Sequence, residues 1–200
     1  MTAHICFVYS GAMMRMAALV IAAIVLQPCI VGAQPSVSGC GTITGTTVWD
    51  PGSVYVLNGC GVTIEAGASL TIQAGTIVKL AGSHDHLVVN GELLVAGTNE
   101  SPVVLTSLRD DSYGGDTNGD GTATAQAPGD WGWVVFNPGS SGTIEHAVLG
   151  YGGVGYHGYT HWAMVKVYGT SDVVIDHTTL HASWSDGLYA ENASVRVTNS

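Results

Sequence analysis

The sequence has little charge, and very little of that charge is positive. Charged residues make up 10% of the 200 residues, and five Lys and Arg stand against fifteen Asp and Glu, for a formal net charge of −10. Nucleic-acid binding draws on a basic surface that displaces counterions from phosphates. We therefore expect no nucleic-acid partner, and a polyanionic sugar would also be repelled unless a divalent cation bridged it.

Helix signals and long apolar runs are scarce as well. Gly, Thr and Val interrupt nearly every stretch in which apolar residues might recur at helical spacing. The exception is near the N-terminus, where Arg15, the run MAALVIAAIVL and a short VGA precede Gln34. This order is typical of a secretory signal peptide. We expect residues 1–33 to be removed and no membrane span to remain, which predicts a secreted or cell-surface protein.

Cysteine is rare after this leader, where only Cys40 and Cys60 remain. The two lie in matching contexts, SGCGTITG and NGCGVTIEAG, about one repeat apart. In an oxidising compartment such a pair tends to form a disulfide, with Cα atoms within about 7 Å. The sequence favours this bond, and two unpaired, small, buried side chains are the alternative.

Short predicted strands, in which apolar and polar residues alternate, recur along the sequence. The segment GASLTIQAGT aligns with NGELLVAGT, which pairs Leu70 with Leu93 and Ile72 with Val95. A fixed period of this length indicates a repeat architecture in which each unit stacks on the next. Later units, TIEHAVL, VIDHTTL and RVTNS, align in the same way. The residues that they place at one equivalent corner position are His146, His177 and Asn199.

Each unit offers strands of about four residues, which cannot bury an apolar face alone and must stack on neighbours. The expected fold is an all-β parallel solenoid. The relevant segments are SGCGTITGTTVWDPGSVYVL, GASLTIQAGTIVKL, GELLVAGT, PVVLTS, DDSYGGDTNGDG, GDWGWVVF and SDGLYAEN. Together they resemble the secreted right-handed parallel β-helix proteins of the pectate-lyase-like superfamily.

The resemblance covers nearly all of residues 37–200 and implies a right-handed parallel β-helix. We expect residues 34–66 to form an N-terminal cap and first turn, and residues 67–200 to form the β-helix with a calcium-like loop at 109–131. Because the sequence stops within a unit at Ser200, we also expect the solenoid to be truncated at its C-terminus. The superfamily includes lyases, hydrolases and adhesins, so the resemblance implies a fold rather than a reaction.

The loop at 109–131 is unusually acidic. Part of it matches positions 1, 3, 5 and 6 of the calcium-loop pattern D-x-[DN]-x-[DN]-G. The matching residues are Asp116, Asn118, Asp120 and Gly121. Position 12 is Ala127 rather than Glu and no helix flanks the loop, so the loop is not an EF-hand. Carboxylates that could complete a calcium shell are Asp110, Asp111 and Asp130. The alternative is a solvated loop rich in turns.

Other polar clusters give weaker signals. Histidine pairs that could suggest zinc are His84 with His86, His157 with His161, and His177 with His181. The repeat explains two of the seven histidines after the leader better, because His146 and His177 should stack with Asn199 at one corner. The calcium-linked base of the lyases and the GHG and RIK-like segments of the polygalacturonases are not found. The acids that resemble a sugar site are Asp172, Asp176 and Asp186, near Trp184. We expect Trp131 and Trp133 to be buried and the loop tyrosines to be exposed.

The sequence thus predicts a non-catalytic secreted or cell-surface β-helix module that is carbohydrate-associated and calcium-stabilised. Its expected partner is a polysaccharide or a cell-surface glycan. The alternative is part of a polysaccharide lyase or glycoside hydrolase whose catalytic residues lie mostly beyond Ser200.

Overall fold

A computed structural model of the chain describes residues 34–154 and 161–200. The predicted signal peptide, Tyr156, His157 and Tyr159 lie outside these ranges. The described residues form eighteen β-strands and contain no helix. The strands make three six-stranded sheets, in which every third strand along the chain belongs to the same sheet.

The strands fall into the sheets as follows. Sheet A contains β1 (Ser36–Ser38), β4 (Val54–Leu57), β7 (Ile77–Leu80), β10 (Val103–Ser107), β13 (Ala147–Gly150) and β16 (Thr179–His181). Sheet B contains β2 (Gly41–Ile43), β5 (Val62–Ile64), β8 (Leu87–Val89), β11 (Val134–Phe136), β14 (Ala163–Tyr168) and β17 (Asp186–Glu191). Sheet C contains β3 (Thr46–Trp49), β6 (Ser69–Gln73), β9 (Glu92–Ala96), β12 (Ser141–Glu145), β15 (Asp172–Asp176) and β18 (Ser194–Thr198).

All neighbouring strands pair in parallel, and their register is the one that the repeat predicts. Leu70 pairs with Leu93 and Ile72 with Val95 across β6 and β9. In the later turns, Ile144, Ile175 and Val197 are successive partners. The prediction of a right-handed parallel β-helix is therefore confirmed.

Inward side chains from the three sheets form ladders that fill the solenoid. One ladder of sheet B runs through Ile64, Val89, Phe136 and Val167, all fully buried. Parallel ladders of this kind bury apolar surface that no single turn could cover. Gly142 of β12 faces this core, and a Cβ there would lie 2.6 Å from the Phe136 ring. The large ring and the missing side chain therefore complement each other.

The corner after sheet C is built from stacked polar residues in left-handed backbone conformations. His146, His177 and Asn199 have φ angles of 45°, 46° and 53°. The rings of His146 and His177 stack with centroids 4.6 Å apart. The predicted stacking is confirmed for His146 and His177, and the register of β15 with β18 places Asn199 at the next equivalent position.

The disulfide and the tryptophan predictions are also confirmed. Cys40 and Cys60 are bonded, with Cα atoms 5.8 Å apart. Trp131 is fully buried and Trp133 is 9% exposed, so both rings pack within the protein. Asp85 holds the Cys60 corner, because its carboxylate accepts a hydrogen bond from the Cys60 backbone N at 2.7 Å.

The segment between β10 and β11 contains no strand and lies across the outer face of sheet A. A Cβ on Gly114 would lie 2.8 Å from Val54 of β4, and the Gly114 carbonyl accepts a hydrogen bond from the Gln34 backbone N. Outward residues of sheet A are buried beneath this segment. They are Val54, Lys79, Val104 and Thr106, each at most 3% exposed.

Candidate calcium site in an acidic loop

The ends of the acidic loop are fastened by two of its carboxylates. Buried Asp110 accepts a hydrogen bond from Thr106 Oγ1 of β10 at 2.6 Å, and its other oxygen accepts from the backbone N of Ser112 at 3.1 Å. Asp130 closes the other end, accepting from Ser107 Oγ at 2.6 Å and from Arg109 Nη1 at 2.9 Å. Both carboxylates are thus engaged with protein donors.

The middle of the loop is shaped by Asp116. Its carboxylate accepts hydrogen bonds from the backbone N of Gly119 at 2.8 Å, Asp120 at 3.1 Å and Gly121 at 2.8 Å. Gly121 has φ 69°, in the left-handed region where glycine fits without strain. The Asn118 amide donates to Asp120 Oδ2 at 2.9 Å. The segment that matches the calcium pattern therefore forms a tight turn around Asp116.

Three carboxylates of the loop converge. Asp111, Asp116 and Asp120 each offer one oxygen, and these oxygens lie within 4.8 Å of one another. Asp111 Oδ1 and Asp120 Oδ1 are buried and accept no hydrogen bond from protein. Buried oxygens without donors cost free energy unless a cation or water satisfies them. The group fits calcium, which takes oxygen ligands from Asp and water.

A buried cation lies beneath these acids. Lys79 of β7 is fully buried, and its Nζ donates to the Gly115 carbonyl at 2.7 Å. Burial lowers the pKa of Lys79, and the negative charges of Asp111, Asp110 and Asp116 oppose that shift. The repulsion among the acids is therefore relieved partly by protein charge.

A cavity of about 400 Å³ lies between the loop and the first strands of the solenoid. Its lining includes Ser38, Cys40 and Val56 on the solenoid side and Thr117 and Asn118 on the loop side. Asn118 thus faces both the carboxylate group and an open space large enough for several water molecules.

The three acids that resemble a sugar site lie apart in the fold. Asp172 and Asp176 are at opposite ends of β15 in sheet C, with Cα atoms about 13 Å apart at ~3.3 Å per residue. Asp186 begins β17 in sheet B. Hydrogen bonds from Thr198 Oγ1 and Asn199 Nδ2 lower the pKa of Asp176 to about 2. Asp176 therefore favours its charged form.

A different acid accompanies Asp172 on the outer face of sheet C. Strand register places Glu92 of β9 and Asp172 on either side of Ser141 in β12, with Cα atoms roughly 10 Å apart across two strand spacings. Both acids are exposed and line a shallow groove of about 170 Å³ with Leu94 and Val174.

Exposed aromatic surface occurs near the last turns. Trp184 is 57% exposed and is the one aromatic residue among the exposed large hydrophobic side chains of the described ranges. Its indole packs on Gly129 at the end of the acidic loop, where a Cβ would lie 3.0 Å from Cε3. The rings of His161 and Tyr189 stack on each other, with centroids 4.0 Å apart.

Three stacked parallel sheets joined turn by turn define the class of parallel β-helix proteins. The chain belongs to the family of pectate-lyase-like β-helix domains, whose model matches residues 41–189. No curated protein and no solved structure matched the chain. The described residues contain no helix that is long and apolar enough to cross a membrane.

Sequence reasoning singled out the acids of the loop and missed Lys79 and Glu92. The signal for Lys79 was a lone basic residue inside the apolar strand IVKL of an acidic protein. The signal for Glu92 was its equivalence to Ser69 and Ser141 in the repeat, which places it on an outward ladder of sheet C.

Proposed function

We propose that this protein is a non-catalytic secreted or cell-surface β-helix module whose acidic loop binds one calcium ion. The observation that carries the proposal is the convergence of Asp111, Asp116 and Asp120 with two buried oxygens that have no protein donor. Asp110 and Asp130 fasten the loop ends, and Asn118 lies beside the group. The Cys40–Cys60 bond supports an oxidising, extracellular setting.

Calcium would be held by those three carboxylates, with water in the remaining positions. The ion would add positive charge to that of Lys79 beside the converging acids, and it would strengthen the attachment of the loop to sheet A. It would have no role in a reaction. A ligand that binds only the folded loop stabilises the protein by RT ln(1 + [L]/Kd), about 2.7 kcal/mol at a hundredfold excess over Kd.

Calorimetry and thermal melting test this proposal. Calcium at a hundredfold excess over Kd should raise the Tm by about 5 to 10 °C, and chelator should reverse the rise. The double variant Asp116→Ala, Asp120→Ala should lose the response while keeping its far-UV β-sheet signal. Asp50→Ala, an acid outside the loop, is the matched control. Absence of calcium binding by calorimetry would reject the site.

Carbohydrate association is the second part of the proposal. An exposed indole whose other face is supported by backbone can stack on a sugar ring. Trp184 presents such a surface beside the acidic loop, and an acidic module suits a neutral glycan or one bridged by calcium. We expect binding to an insoluble polysaccharide that Trp184→Ala weakens about tenfold, whereas Val48→Ala, at another exposed side chain, leaves binding unchanged.

The runner-up function is part of a polysaccharide lyase or glycoside hydrolase. The groove favours it, because it carries two acids, Glu92 and Asp172, with Cα atoms roughly 10 Å apart, and glycoside hydrolysis uses a pair of carboxyl groups that flank the cleaved bond. Release of sugar from pectin, alginate or xylan, abolished by Glu92→Gln or Asp172→Asn, would place this function first. We expect no release by the protein or by either variant.

A further inference from the structure

Lys79 occupies an unusual position for a lysine. It lies on the outer ladder of sheet A, with Val56 and Thr106 as its strand partners, and yet it has no exposed surface. The acidic loop covers it, so the long side chain ends inside the space between sheet and loop. A buried ammonium is retained only where hydrogen bonds or opposite charges compensate for lost water.

Both kinds of compensation come from the loop. Lys79 Nζ donates to the carbonyl of Gly115, the residue directly before Asp116, at 2.7 Å. The negative charges that act on the ammonium belong to Asp111, Asp110 and Asp116, in decreasing order. Two of these three acids are members of the converging carboxylate group.

The second buried lysine has different surroundings. Lys166 of β14 is 2% exposed, and its Nζ lies 4.1 Å from the ring centroid of Trp133 on the outer face of sheet B. Burial lowers the pKa of Lys166, and the ring of Trp133 faces its ammonium group. The two lysines therefore share residue type and burial but differ in what faces the ammonium.

We propose that the Lys79 ammonium is the built-in counter-ion of the acidic loop, a positioning residue that holds Asp111 and Asp116 against sheet A before any calcium ion binds. Lys79 and calcium then neutralise the same acids in part. The loop is folded in the calcium-free protein, and calcium adds to an arrangement that already exists. The calcium half of this inference rests on the proposed function, whereas the role of Lys79 in the calcium-free loop does not.

Hydrogen–deuterium exchange of the loop in the presence of chelator tests the role of Lys79 in the calcium-free protein. In Lys79→Met, the amides of residues 114–121 should exchange about tenfold to a hundredfold faster than in the unchanged protein, as expected for loss of a hydrogen bond from a charged donor. Lys79→Arg keeps the charge and should restore most of the protection. Lys166→Met, equally buried, is the matched control and should leave loop exchange unchanged.

The charge itself is tested by adding Asp111→Asn to Lys79→Met. Asp111→Asn removes one of the acids that Lys79 neutralises, so the double variant should exchange its loop amides at least threefold more slowly than Lys79→Met alone. If Lys79 had a purely steric role, the effects of the two substitutions on loop exchange would be additive. If Lys79→Met exchanges like the unchanged protein, or if Lys166→Met opens the loop as much, the inference is overturned.

Thermal melting tests whether Lys79 and calcium neutralise the same acids. The rise in Tm caused by calcium should be at least twice as large in Lys79→Met as in the unchanged protein, because the ion then takes over the missing neutralisation. An equal or smaller rise would contradict shared neutralisation. If calcium binds neither protein, the proposed calcium function fails, and the exchange data from the chelated samples still decide the role of Lys79.

Discussion

Sheets A and C consist of the same kind of parallel strands, but the outer face of sheet A is covered by the acidic loop and the outer face of sheet C is exposed to solvent. On sheet A the acidic loop buries Val54, Lys79 and Thr106. On sheet C the equivalent outward positions stay open, with Val48 at 48% exposure and Glu92 and Asp172 exposed. A charge is costly on the covered face unless it is compensated, whereas water compensates it on the open face.

The largest effect is expected where the covered face begins. The Cys40–Cys60 bond spans 20 residues, and closing a loop of that length contributes roughly 3 kcal/mol to stability. The variant Cys40→Ser, Cys60→Ser should therefore unfold at a lower urea concentration. Because Cys40 also lines the cavity under the acidic loop, the loop should become more exposed to solvent in this variant. Urea denaturation under non-reducing conditions measures the loss. A loss of less than about 1 kcal/mol in the free energy of unfolding would show that the disulfide contributes little to the stability of the covered face.

A matched pair of acids compares the two faces directly. Asp110→Ala should cost about 2 kcal/mol, since it removes a buried carboxylate that accepts from Thr106 and Ser112. Asp172→Ala, on the open face, should change stability by less than about 0.5 kcal/mol. Both are measured by urea denaturation in chelator, so that calcium binding does not contribute. Equal losses would show that covering sheet A has no energetic consequence.

The smallest effect concerns Asp176, at the edge of the open face. Its pKa of about 2 lies below the usual 3.8 because Thr198 and Asn199 donate to the carboxylate. The contribution to stability is therefore complete above about pH 4 and is lost as the pH falls towards 2. Thr198→Val with Asn199→Ala should raise the pKa towards its ordinary value and flatten this part of the pH dependence. NMR titration of Asp176 measures the pKa, and an unchanged value would reject the cause.

The solenoid could be predicted because the residues that align between repeats in the sequence are also the residues that pair between strands. Leu70 with Leu93 and Ile144 with Ile175 align in the sequence as they pair in the structure, and the corner residues His146 and His177 follow from the same alignment. An apolar residue every second position fixes which side of a strand faces inward. The disulfide was predictable for the same reason, since its cysteines occupy equivalent contexts.

The candidate site could be predicted only in part. The pattern that contains Asp116 and Asp120 is local, so the sequence identified it. The burial of Lys79 depends on a loop that starts thirty positions later, and no local pattern records which strand a loop covers. The contact of Asp130 with Ser107 likewise forms only when the loop folds back over 23 residues, whereas Asp110 accepts from Thr106 only four residues before it.

A crystal structure determined in millimolar calcium tests the central claim most directly. We expect anomalous density for one ion between Asp111, Asp116 and Asp120, with ligand oxygens at about 2.3 to 2.6 Å, and Lys79 still bonded to the Gly115 carbonyl. Three carboxylates that bind only water or protein at saturating calcium would show that the loop is an acidic cover for sheet A and not a calcium site.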